Sequence, residues 1–187
     1  MRSFIAAFVF AISSATALSV SARSNDVDVQ VQIVDQEVRT SVSFFVAASQ
    51  QRVWDVITDY ERMPEYMRDT VMTKVVSRAG DTYRVLQKDK VKLGPFSIPL
   101  ETVRDVKHVE PTRTESHIVS GSFKKYDAEM KLVPESGGTR IVYRSAAVPD
   151  SALAAFAGES MIRKHAEERF RQIRAEILRR EHVATRQ

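Results

Sequence analysis

From Val38 to Val46, the apolar residues Val38, Val42, Phe44 and Val46 alternate with Arg39, Ser41 and Ser43. A period of two marks a strand with one buried face. The pattern changes at Ser49, a good N-cap, after which Val53, Trp54 and Ile57 fall at helical spacing. That spacing reads Trp54 as a structural anchor of the helix. The helix breaks at Thr58-Asp59-Tyr60 and enters a turn containing Pro64 and carrying Tyr60, Met63, Tyr66 and Met67. A loop so rich in large apolar groups is costly to leave in water. It is expected to lid something apolar.

Strand-like sequence follows. Thr70–Arg78 and Thr82–Val91 are joined by Ala79-Gly80-Asp81, a hairpin signal. The segment Leu93–Pro99 interrupts the pattern, and its two prolines suit an edge, a bulge or a sheet corner. Leu100–Val109 resumes strand character and stops at Glu110-Pro111-Thr112. Thr114–Ser120 is the next strand, and Gly121 permits a bulge or sharp bend. Tyr126, Ala128, Met130 and Leu132 then alternate with Asp127, Glu129 and Lys131. A turn over Glu135–Gly138 leads to a last strand, Thr139–Val148. Pro149-Asp150-Ser151 breaks the sheet and caps a helix from about Ala152 to Arg180. Its apolar stripe is Ile162, Ala166, Phe170, Ile173 and Ile177, with Glu167–Arg171 and Glu176–Arg180 as i,i+4 pairs on the other face. The order of elements predicts one α+β domain over residues 37–181, a sheet wrapped around a pocket, followed by a tail at 182–187. Residues 23–36, with alternating VDVQVQIVD, form either an N-terminal arm or a first strand.

The first residues change the picture. Arg2 precedes an apolar run, Phe4–Phe10, then a small-residue tract in which Val20-Ser21-Ala22 fits a cleavage site and Ala15-Thr16-Ala17 is a second candidate. Residues 1–22 read as a secretory signal peptide, which predicts a periplasmic or secreted protein. The alternative is an uncleaved membrane anchor, since Ser3–Ala22 carries no charge. There is no cysteine. That excludes disulfides, a lipoprotein-type acyl anchor, a thiolate metal ligand and a Cys nucleophile. The formal net charge of +4 falls by one if Arg2 leaves with the leader. Such a mild excess favours peripheral contact with an anionic membrane and falls short of a nucleic-acid footprint.

Three stretches resemble the START-like (SRPBCC, helix-grip) superfamily, and within it the polyketide cyclase/dehydrase and coenzyme Q-binding group. They are VAASQQRVWDVITDYERMPEYM at Val46–Met67, VSGSFKKYDAEMKL at Val119–Leu132 and GGTRIVYR at Gly137–Arg144. The resemblance spans roughly Val38 to Arg180. It implies a curved antiparallel sheet gripping the C-terminal helix, with a deep apolar cavity between them. Members bind lipids, quinones, polyketides or plant hormones, and a minority are cyclases. The leader departs from the family pattern and sets this chain apart from cytosolic and mitochondrial roles.

Tyr60, Tyr66 and Met67 lie where the family's entrance loop lies, and the competing reading is plain packing beneath that loop. Phe96 is either a mouth residue or an apolar plug. Met130, Tyr143 and Phe156 face the cavity or the core. Arg104 shares a strand face with Leu100, Thr102 and Val106. If it points inward, a ligand carboxylate, phosphate or enolate would partner it, whereas a register shifted by one would put it in water. His108, His117, His165 and His182 sit in no catalytic pattern, and no metal, nucleotide or nucleophile-elbow motif occurs. No cofactor or metal is expected, and a monomer is. The leading expectation is an exported domain that binds or carries a lipophilic small molecule. The rivals are a polyketide cyclase/aromatase-like enzyme, using Arg104 with a tyrosine, and a protein-interaction module with a collapsed cavity.

Overall fold

A computed structural model describes residues 26–93, 96–150 and 158–184. The alternating runs become eight strands: β1 (Asp28–Val34), β2 (Glu37–Val46), β3 (Thr70–Ala79), β4 (Thr82–Leu93), β5 (Phe96–Val109), β6 (Arg113–Gly121), β7 (Phe123–Glu135) and β8 (Gly138–Pro149). They form one antiparallel sheet in the order β1-β2-β8-β7-β6-β5-β4-β3. Residues 28–34 form the first strand, paired with β2 from Asp28↔Ser43 to Val34↔Glu37.

Between β2 and β3 lie α1 (Gln50–Ile57), a 3₁₀ turn (Tyr60–Arg62) and a single helical turn, α2 (Met63–Tyr66). Ser49 caps α1, its Oγ accepting from the Arg52 amide at 3.1 Å. The long helix, α3, is described from Glu159 to Ala184. It therefore runs through His182 into the expected tail, while its expected start near Ala152 falls outside the described residues.

The apolar stripe of α3 packs on the inner face of the sheet. Phe170, Ile173 and Ile177 are buried, and the Phe170 ring meets Phe44 at 6.0 Å and Tyr143 at 5.0 Å between centroids. Val42, Phe44, Val46, Leu132 and Ile141 join them in one core with Val53, Trp54, Val56 and Ile57 of α1. One expectation is corrected here. Glu176 and Arg180 do not sit on a solvated face. Glu176 is 7% exposed and accepts from Arg179 and Arg180, and Arg180 also reaches Asp59 at 2.8 Å. The pair is one helical step beside the stripe, so it faces the α1 segment and bolts α3 to it.

Two features bend the sheet. β6 and β7 pair only from Arg113↔Lys131 to His117↔Asp127, and nearer their turn each keeps only its outer neighbour. Gly121, at φ 124°, lets the chain turn there, and a Cβ at that position would clash with the Glu101 carbonyl. The second is the start of β5. Pro99 pairs across to Lys90 of β4, but β6 joins β5 only from Thr102 onward, so the missing proline N–H has no ladder to break.

Candidate functional site

The sheet curves away from α3 over β4, β5, β7 and β8 and leaves space beneath the first half of the helix. A chamber of about 410 Å³ lies there, walled by apolar residues such as Val38, Val91, Leu100, Ala147, Ile162 and Ala166. A second chamber of about 140 Å³ lies toward the α1–α2 segment, under Ile57, Tyr60, Met63, Met67 and Met130. Gln87, Arg104, Tyr126, Tyr143, Arg169 and Phe170 line both. They form a polar belt across an otherwise oily space.

The belt follows from strand period. On β4 the inward set is Val85, Gln87, Asp89 and Val91, and on β5 it is Thr102, Arg104, Val106 and His108. Arg104 therefore keeps the register that points it inward. Its Nη2 donates to Gln87 Oε1 at 2.6 Å, and its guanidinium lies 5.6 Å from the centroid of the Tyr126 ring. Its Nε is buried with no partner. Gln87 Nε2 donates to both Asp89 oxygens at 2.9 and 2.7 Å. Asp89 also accepts from Thr70 Oγ1 at 2.7 Å and faces Arg169 Nη1 at 3.7 Å. Across the belt the hydroxyls of Tyr126 and Tyr143 are 2.9 Å apart. Burial pushes the Tyr143 phenol far above its ordinary range, so it stays protonated, and either hydroxyl of the pair can donate to the other. Burial, aided by Arg169, pushes His165 below its ordinary value although Asp69 lies 3.4 Å away, so the imidazole is neutral near pH 7.

The α1–α2 segment closes the small chamber. Tyr60 is buried, and its hydroxyl lies 2.7 Å from His108 Nε2. His108 stacks on Tyr83 at 4.2 Å and meets Trp54 edge-on at 5.2 Å. Trp54 and Tyr60 are thereby tied to the far end of β5. Met67 is 2% exposed and points into the chamber.

Of the expected site residues, Tyr60, Met67, Arg104, Met130 and Tyr143 come together on the cavity wall. Tyr66 does not. Its hydroxyl donates to the Val56 carbonyl at 3.2 Å, and its ring packs against the core. Phe96 is placed by its backbone alone, opposite Leu93 at the start of β5. Phe156 lies outside the described residues. Gln87, Tyr126 and Arg169 were missed. The signal for Gln87 was present: Gln87 and Asp89 occupy two successive inward positions between Val85 and Val91.

Residues 46–174 match a family described as polyketide cyclase / dehydrase and lipid transport. The chain belongs to that family. Its START-like, helix-grip architecture recurs in solved structures of low sequence identity. A STAR-related lipid transfer protein from Xanthomonas axonopodis superposes with a TM-score of 0.69 at 11% identity, covering 84% of this chain and 96% of that one. Human STARD10 gives 0.67 at 12%, covering 88% and 74%. The Zhui aromatase/cyclase from a Streptomyces species gives 0.62 at 14%, covering 77% and 95%. At these identities the likeness is one of fold. No curated protein sequence matches the chain.

Proposed function

We propose that this member of the polyketide cyclase/dehydrase and lipid transport family is exported and binds or carries a lipophilic small molecule between its sheet and α3. The observation that carries the reading is the chamber of about 410 Å³ with predominantly aliphatic walls. Ligand sites of this kind run to roughly 300–1,000 Å³. Hiding about 250 Å² of ligand apolar surface is worth about 6 kcal/mol before the cost of association, and needs no catalytic group. The Xanthomonas axonopodis protein of similar fold is a STAR-related lipid transfer protein, which fits a carrier. The leader at residues 1–22 supports a periplasmic or secreted location. The mild positive charge supports brief contact with an anionic membrane during loading. The carrier acts as a monomer.

Native mass spectrometry of protein purified from its own secretory compartment tests this. The expected result is a monomer retaining a lipophilic adduct. Protein recovered empty every time, and unable to move lipid or quinone between vesicles, overturns the reading.

The cyclase/aromatase-like alternative has one specific observation behind it, the convergence of Arg104, Tyr126 and Tyr143 inside the cavity. The groups there donate protons or hydrogen bonds. Asp89, the carboxylate linked to Arg104 through Gln87, is already taken up by Thr70, Gln87 and Arg169. That pattern suits recognition better than proton abstraction. Open volume on this scale also weighs against an interaction module with a collapsed cavity.

A further inference from the structure

We propose that the ligand is a singly charged oxyanion on an apolar skeleton, held with its acidic group at the belt against Arg104 and its longer apolar arm in the larger chamber. This rests on the carrier reading and adds the ligand's charge to it.

The argument is a charge count in a water-poor space. The belt carries two guanidinium groups, Arg104 and Arg169, and its adjoining carboxylate is Asp89. Asp89 faces Arg169 at 3.7 Å, and its remaining acceptor capacity goes to Thr70 and Gln87. Asp69, the next acid along, lines neither chamber and faces the neutral His165 at 3.4 Å. Glu129, at the rim of the small chamber, is taken by Lys131 at 3.1 Å and Arg113 at 3.7 Å. Among the described residues, no carboxylate lies within ion-pair distance of Arg104.

What Arg104 has instead is a neutral acceptor and a ring face. Gln87 is oriented by its two bonds to Asp89, which turns its carbonyl oxygen toward the guanidinium. Arg104 Nε remains buried and unpartnered. A half-buried cation with a buried, unpartnered donor is unfavourable until an anion meets it. The hydroxyls of Tyr126 and Tyr143 stand on the same wall 2.9 Å apart; one donates to the other, which leaves one O–H as a further donor. One added negative charge balances the belt. A zwitterion would bring a cation with no carboxylate free to receive it, and a neutral skeleton would leave Arg104 as it is.

The position of the belt between the chambers fixes the orientation. An acidic group at Arg104 leaves about 410 Å³ on one side for a long arm and about 140 Å³ on the other for a short one.

The test uses the full mature chain and four probes that share a twelve-carbon chain: dodecanoate, its methyl ester, monododecyl phosphate and dodecyltrimethylammonium. Affinities are read by displacement of a neutral fluorescent naphthylamine near neutral pH. Charge-assisted hydrogen bonds predict that dodecanoate binds about tenfold or more tightly than its methyl ester. Arg104→Gln abolishes that preference while the naphthylamine still binds, and Arg104→Lys restores part of it. A preference shared by the phosphate, which carries about −1.5 to −2 near neutral pH, identifies any oxyanion as acceptable and overturns the limit to a single charge. One confined to dodecanoate identifies a carboxylate. Equal affinity for acid and ester in the wild type overturns the proposal and leaves the carrier reading intact, and so does a preference unchanged in Arg104→Gln. If no probe and no naphthylamine binds, the carrier reading itself fails. Should Arg104→Gln not fold, the wild-type comparison of acid with ester still decides.

Discussion

At the scale of single residues, the groups most sensitive to conditions are His108 and Glu176, and both act in the same direction. Burial holds His108 below its ordinary value of 6.5, with Arg78 adding to the effect and Glu110 and Asp81 opposing it. Its folded form is therefore neutral and carries the contact to Tyr60. A depressed histidine contributes stability that is complete above its unfolded value and is lost as pH falls toward the folded one. Glu176 is also held low, first by its bond to Arg179 and then, against some desolvation, by Arg180. Its contribution is present above the ordinary carboxylate value of 4.5 and disappears below it. Acidification should then weaken the fold in two stages, one starting near pH 6.5 and one below about 4.5. Urea midpoints measured across that range check the expectation. His165 titrates in the first window as well. The double variant His108→Gln/His165→Gln should flatten the first stage and keep the second. A single sigmoid in the wild type, or an unaltered first stage in the double variant, contradicts the assignment. Little of this was legible in the chain. His108 followed Val106 at an inward position of its strand, but its neighbours Trp54, Tyr60 and Tyr83 come from three other elements. Sequence spacing does not report a contact assembled that way.

Elements were read far more fully than contacts, because strand and helix periods are local. Seven of the eight strands and both principal helices follow from alternation or stripe, and β1 stood as one of two readings. The limits appear where local rule and long-range packing separate. Glu176 and Arg180 looked like a solvated i,i+4 pair because both are charged, yet the face they occupy is the one α1 covers. The β1–β2 turn shows the opposite case, a local rule the chain breaks. Asp35 and Gln36 adopt φ values of 49° and 70°, so both central residues of this two-residue turn are left-handed. Hairpins that bend this way favour Asn-Gly or Asp-Gly, and a glutamine in the second place carries a steric cost. Gln36→Gly should raise stability by about 0.5–1 kcal/mol, a gain of about 1–4 °C in Tm in a domain of this size. Calorimetry of the two proteins decides. A fall in Tm would mean that the Gln36 side chain, which lines the larger chamber, contributes more by packing than its backbone costs.

For the whole molecule, the decisive property is the mismatch between a bent sheet and a straight rod. The broken helix rich in tyrosine and methionine and the closing amphipathic helix pointed to a pocket, but its volume depends on how far the strands curve away from α3. That curvature arises at the β6–β7 split, at Gly121 and at the proline-flanked start of β5, and no period reports its size. Volume can be removed without touching the belt. Ala166 sits on the inner stripe of α3 and lines the larger chamber without a polar role. Ala166→Phe would project a ring into that space. Filling an empty chamber adds dispersion contacts, whereas forcing a ring into a packed core costs about 1–3 kcal/mol. The expected outcome is an unchanged or higher Tm together with a loss of lipophilic probe binding of at least about tenfold, since most of a ligand's buried apolar surface would be displaced. The two readouts must move apart for the cavity to be the site. A variant that is destabilised and still binds the naphthylamine as well as wild type would place the ligand elsewhere. Loss of binding with retained stability ties the function of the fold to the space its sheet holds open.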